Sequence, residues 1–149
     1  MRLDIVVPIF NEEETLPELC RRLKGVCSGL EGVRWRVILV NDGSRDRSLA
    51  LMLEWAREHR PFTVVDLSRN FGHQAAIAAG LASADADAVV LMDGDLQDPP
   101  ELIPALLDEW KNGSSVVIGR RKSRAEQGLR RVGFDLFHRL FASISDFPI

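Results

Sequence analysis

Apolar residues fall into two alternating patterns along this chain: short, nearly continuous runs and longer stretches with helical spacing. Residues 3–8, rich in Ile and Val, predict a buried strand. Residues 12–24 predict a helix with Leu16, Leu19, Cys20 and Leu23 on one face; Pro17 fits only its first turn. A second strand is predicted over 35–40, then a turn at Asn41-Asp42-Gly43-Ser44 and a helix to about His59, capped by Ser44 or Asp46. Residues 63–67 predict a third strand. Residues 71–81 predict a helix whose small side chains (Ala75, Ala76, Ala78, Ala79, Gly80) suit close packing. A fourth strand over 88–92 is followed by a helix that Pro99 and Pro100 open, with Asp98 as its cap, running to about Lys111. Residues 116–118 predict a fifth strand, and 129–144 a last helix.

Such β-α alternation predicts an α/β domain with a doubly wound, mainly parallel sheet. Strands covered by helices on both faces should be apolar throughout, as IVV, VILV and AVVLM are. No repeat, low-complexity tract or linker interrupts the chain, so residues 1–149 read as one domain.

A chain of 149 residues is long enough to bury a real core. Its 46% apolar and 28% charged residues are the balance of a globular protein. The net charge of −3 argues against a dedicated nucleic-acid binder, which is normally basic. Between Arg120 and Arg139, however, seven Lys or Arg face two acids, a stretch suited to an anion or an anionic surface. Cys20 and Cys27, without neighbouring His, do not make a zinc site and read as a reduced cytosolic pair. The first residues lack the features of a signal peptide, and no stretch reaches the ~20 apolar residues of a membrane span. Membrane contact is therefore expected to be peripheral, or to come from sequence beyond this chain.

Open α/β sheets bind ligands at the carboxyl ends of their strands, and the polar residues gather there. The first strand ends in Pro8 and leads to Asn11-Glu12-Glu13-Glu14; the second ends in Asn41-Asp42-Gly43; the third in Ser68-Arg69-Asn70; the fourth in Asp93-Gly94-Asp95-Leu96-Gln97-Asp98. Asp93 and Asp95 flank a glycine that would let a tight turn aim both carboxylates at one point, at the end of a central strand. Bare carboxylates that close repel each other, and a divalent cation removes the penalty. Hard oxygen donors suit Mg²⁺ or Mn²⁺ sharing a diphosphate, and Gln97 would add a neutral oxygen. Glu12 and Asp42 read either as partners of a nucleoside's base or ribose, or as a first-turn acid and a turn-forming residue. Gly72 suits a close backbone approach, and His73 either contacts a ligand or caps the helix. There is no G-x-x-x-x-G-K-[ST] loop and no G-x-G-x-x-G turn, so neither a P-loop NTPase nor an ordinary dinucleotide dehydrogenase is expected.

The motifs VVPIFNEEETL, VNDGSRDRS, SRNFGHQAAIAAGL, MDGDLQDPPE and VIGRRKSR, in this order over residues 5–124, resemble the family 2 glycosyltransferases, most closely their polyprenyl-phosphate (dolichol-phosphate mannose synthase-like) branch. The resemblance implies a GT-A fold and transfer of a sugar, with inversion, from a UDP- or GDP-sugar to a polyprenyl phosphate. It implies nucleoside contacts at Pro8, Glu12 and Asp42, diphosphate and metal contacts at Asp93, Asp95 and Gln97, and phosphate binding by Arg121, with Arg124 and Arg130 or Arg131 as further candidates. No catalytic base is assigned. It also implies that the family's acceptor segments and transmembrane helices lie beyond Ile149, making this chain the donor-binding, C-terminally incomplete part of such a domain at the cytoplasmic face of a membrane. The apolar stripe of 129–144 beside arginines fits either an interfacial amphipathic helix or a helix packed on the sheet. Two alternatives stand beside transfer: a non-catalytic nucleotide-sugar-binding module that works with another chain, and a phosphatase using Asp93 as nucleophile. The latter would carry its Asp-x-Asp after the first strand and need a downstream lysine.

Overall fold

The computed structural model describes residues 1–119, of which Met1–Val117 form one compact unit. Strands β1 (Arg2–Ile9), β2 (Arg34–Asn41), β3 (Phe62–Asp66) and β4 (Ala88–Leu91) make a parallel sheet in the order β3-β2-β1-β4. Helices α1 (Leu16–Ser28), α2 (Ser48–Glu58) and α3 (His73–Ala82) are the crossovers, and a 3-10 turn at Pro100–Leu102 leads into α4 (Ile103–Lys111).

This order explains the layering. The chain steps outward from β1 to β2 to β3, then returns past both to place β4 on the far side of β1. Parallel crossovers are right-handed, so reversing the direction of travel moves the connecting helix to the opposite face. Side-chain burial follows that rule. Leu3, Ile5, Val7 and Ile9 of β1 pack with Leu19 and Leu23 of α1, Met52 of α2, and Ile103 and Leu107 of α4. The alternate positions Val6, Ile38 and Val40 pack on Ala76 of α3. The small residues of α3 let it lie close: a Cβ at Gly80 would meet Val6 Cγ1 at 2.3 Å. Cys20 and Cys27 are free and buried on α1, and burial pushes their thiols up to about 12 and about 11, leaving them unreactive.

The predicted doubly wound parallel sheet is present, with four departures in detail. Helix α1 begins at Leu16 rather than Glu12; the Glu12 and Glu13 amides donate to Ser48 Oγ and Asp46 Oδ2 after β2. Strand β4 pairs only with β1 among the described residues, so Asp93 follows an outer strand there rather than a central one. Residues 116–118 form no strand; an apolar run becomes a strand only where a neighbour offers a ladder, and none of the described strands pairs with it. Asp98 does not hold the cap position: Pro99 is the N-cap of the 3-10 turn and Leu102 that of α4, neither with a side-chain cap. Arg120 to Ile149, including the helix expected at 129–144, lie outside the described residues.

At the amino ends of the strands, Arg36 of β2 donates to Asp4 of β1 through Nε at 3.0 Å and also through Nη2, and the Asp85 amide donates to Asp4 Oδ2 at 2.9 Å. Burial pushes the Asp4 carboxyl up, but Arg36 and the Asp85 amide outweigh it and hold the group below its ordinary 3.8.

Candidate functional site

The reversal of strand order falls between β1 and β4. The loops leaving their carboxyl ends diverge there, which is where such sheets open a crevice. A cleft of about 290 Å³ occupies that place, lined by Pro8, Phe10, Glu12, Asp42, Asn70, Gly72, His73, Asp93, Gly94 and Asp95, among others. Five of the sequence candidates thus share one cavity: Pro8, Glu12, Asp42, Asp93 and Asp95. Gln97 is exposed and does not line it. Arg121, Arg124, Arg130 and Arg131 lie outside the described residues.

Three loops build the floor. The loops after β1 and β2 are laced by side chain-to-backbone bonds. The Asn11 amide donates to Ser44 Oγ (3.0 Å), Glu12 to Ser48 Oγ (2.8 Å) and Glu13 to Asp46 Oδ2 (3.1 Å); in return the Arg45 amide donates to Asn11 Oδ1 (2.8 Å) and Arg47 to Glu13 Oε2 (2.9 Å). Burial raises the Asp46 carboxyl, and the bonds from Ser48 and Glu13 more than offset it, so the group sits below its usual range. Asp46 does not cap α2 from the N-cap position, which is Arg47; it accepts from the Ser48 amide two residues on.

Asp42 joins the third loop. Its side chain is almost wholly buried, and its two oxygens accept from the Phe71 (2.8 Å) and Gly72 (3.0 Å) amides just ahead of α3. Those amides could otherwise hold a ligand's anion; here a carboxylate of the chain holds them. Two glycines make the join possible. Gly43 has φ +66°, and a Cβ on it would stand 2.3 Å from backbone atoms of Arg69 and Asn70. Gly72 has φ +94° with open space where a Cβ would be, so backbone conformation, not the close approach expected from sequence, requires glycine there.

The loop after β4 is different. Among the described residues Asp93 pairs with His73 Nε2 alone, at 3.6 Å, and both side chains are about half exposed. Asp95 Oδ1 accepts from the Gln97 amide at 2.9 Å, and Oδ2 makes no hydrogen bond among the described residues. The turn expected at Gly94 falls on Gly94 and Asp95, and Leu96 just after it takes a left-handed conformation with φ +61°. Gly94 also lets the loop lie on β1: a Cβ there would meet Ile9 Cδ1 at 2.5 Å and the Pro8 carbonyl at 3.1 Å. Leu96 and Asn11 (φ +56°) place left-handed, non-glycine backbone next in sequence to the cleft residues Asp95 and Glu12, and strain of this kind gathers at functional loops. Among the described residues no three His, Cys, Asp or Glu meet as a metal cluster.

Asn70, one of the polar residues read at the end of the third strand, lines the cleft, and so does Phe10, which was not singled out from sequence. Phe10 carried a readable signal, an aromatic residue just beyond the strand end that is 43% exposed.

A family model for glycosyl transferase family 2 matches residues 4–144. The chain belongs to glycosyl transferase family 2. The chain is 37% identical over 150 residues to an uncharacterized glycosyltransferase of Synechocystis sp., covering 100% of this chain and 47% of that protein. It is 45% identical over 130 residues to the undecaprenyl-phosphate 4-deoxy-4-formamido-L-arabinose transferase of Pseudomonas fluorescens, covering 87% of this chain and 38% of that one. The chain spans less than half the length of these curated relatives. Its structure is similar to that of the mannosyltransferase PcManGT from Pyrobaculum calidifontis in complex with GDP-Man and Mn²⁺, with a TM-score of 0.65 at 23% identity over 77% of this chain and 33% of the other. That likeness establishes the GT-A fold the motifs implied. The resemblance to the polyprenyl-phosphate branch is likewise matched by the Pseudomonas relative's name.

Proposed function

We propose that residues 1–149 are the donor-binding part of a glycosyltransferase that moves a sugar from a UDP- or GDP-sugar to a polyprenyl phosphate with inversion. The observation that carries this is the cleft at the sheet's reversal point, where Asp93 and Asp95 stand open beside Glu12 and Asp42. The Pseudomonas relative named for an undecaprenyl-phosphate sugar transfer supports the acceptor class, and the mannosyltransferase complex with GDP-Man supports the donor class.

Glu12 and Asp42, on the β1 and β2 side, face the nucleoside as hydrogen-bond acceptors. Asp42 does so from a position fixed by the Phe71 and Gly72 amides. Asp93 and Asp95 face the diphosphate. Two partly exposed carboxylates with hard oxygens fit Mg²⁺ or Mn²⁺, and the absence of a third such ligand among the described residues suits an ion that fills its shell with water and phosphate oxygens. Bound there, the cation supplies positive charge against the diphosphate. Gln97 is a further proposed oxygen donor. Arg121, with Arg124 and Arg130 or Arg131, is assigned to phosphate by its place in the family's motif.

In the transfer itself an oxygen of the acceptor phosphate forms its bond to the anomeric carbon from the face opposite the leaving group. The bond to the nucleoside diphosphate breaks and its electron pair departs with that group. A phosphate acceptor is already an anion, so no protein base is required. A lipid-borne acceptor brings the chain to the cytoplasmic face of a membrane; among the described residues no helix is long and apolar enough to cross one.

Calorimetric titration of the chain with UDP and with GDP, each with Mn²⁺, tests the donor site: one nucleotide binds only with the metal present. No binding of either overturns the reading. A transfer assay on the same protein then separates transferase from binding module, since tight binding without turnover favours the module.

A further inference from the structure

Thr15 occupies the N-cap of α1, where a threonine hydroxyl ordinarily accepts from an amide of the first turn. It does not do so here. Its backbone is already helical (φ −89°, ψ −29°), and its side chain makes no cap hydrogen bond. The hydroxyl turns back and donates to Glu12 Oε2 at 2.7 Å, with the Glu12 carbonyl at 3.3 Å and the Gly94 carbonyl at 3.4 Å as more distant neighbours. Residue 94 lies between the two open aspartates, so one hydroxyl stands where the β1 loop meets the β4 loop. Glu12 lines the cleft, and Oε1, its second oxygen, takes part in no hydrogen bond among the described residues.

We propose that Thr15 is a positioning residue for nucleotide binding: its hydroxyl fixes the Glu12 carboxylate so that one oxygen stays with the protein and the other meets the nucleoside. This rests on the donor-site reading above. A glutamate has three side-chain torsions, and an unrestrained one loses their freedom when it engages a ligand. A short bond to Oε2 removes that freedom beforehand, which favours binding without Thr15 touching the ligand.

The test is a double-mutant cycle on the whole chain, read by calorimetry with UDP or GDP plus Mn²⁺, whichever the parent binds. Thr15→Val keeps the β-branched shape and removes the donor; it is expected to weaken binding about three- to tenfold, with thermal unfolding alongside to report the fold. Thr15→Ser restores the hydroxyl and is expected to rescue affinity. In a Glu12→Ala background, Thr15→Val should change affinity by less than about twofold. A general loosening of α1 would weaken binding in both backgrounds and would not be rescued by serine, and that result overturns the proposal. Parent-like affinity of Thr15→Val overturns it too, leaving the donor site intact. A parent that binds neither nucleotide defeats the donor-site reading and this inference with it.

Discussion

The acids at the strand ends look alike in sequence, yet the loops after β1 and β2 use theirs differently from the loop after β4. Glu13, Asp42 and Asp46 accept from amides of neighbouring loops at 2.8–3.1 Å. Among the described residues, Asp95 bonds only within its own loop and Asp93 approaches one histidine. A carboxylate saturated by amides holds structure together; one left open carries negative charge that the fold has not neutralised. The first group stabilises the protein and shapes the cleft. The second is the pair assigned above to a metal-bound diphosphate.

Substitutions should therefore separate by region. The largest loss of stability is expected from Gly43→Ala, which places a Cβ against the Arg69–Asn70 backbone at φ +66°; about 4 kcal/mol in denaturant unfolding is predicted. Asp42→Ala leaves the Phe71 and Gly72 amides without their carboxylate and should cost about 3 kcal/mol by the same measurement. Asp4→Asn, at the opposite end of the sheet, gives a pH signature. A carboxyl held low stabilises fully above the ordinary carboxylate range, and the benefit fades as pH falls through its folded value. Parent and variant should differ most near neutral pH and converge as pH falls below the ordinary carboxylate range. Smallest of all, Asp93→Asn and Asp95→Asn should shift stability by no more than about 0.5 kcal/mol. A large loss at either would place the β4 loop in the structural class and erase the contrast.

Much of this was legible beforehand. Period and composition located all four described strands and their helices, because residues such as Ile5, Val37 and Leu39 are buried for reasons local to each strand. The placement of Asp93, Asp95, Glu12 and Asp42 in one cleft followed from their positions at strand ends. The division of labour among them did not. It depends on bonds between residues about thirty positions apart, such as Asp42 with Gly72 and Asn11 with Ser44, and no local pattern encodes those. The place of β4 at the end of the order among the described strands was hidden for the same reason, since apolar content reports burial and not strand order. The turn at Gly94 was legible from propensity, but the left-handed conformation of Leu96 beside it was not, since no local pattern marks leucine for it.

The central claim is that Asp93 and Asp95 are held open for a metal-bound nucleotide. Calorimetry of Asp95→Asn with the nucleotide the parent binds, with and without Mn²⁺, addresses it directly, with unfolding curves recorded on the same samples. The expected result is loss of the Mn²⁺-dependent binding at parent-like stability. Parent-like affinity in Mn²⁺, with the same stability, would contradict it.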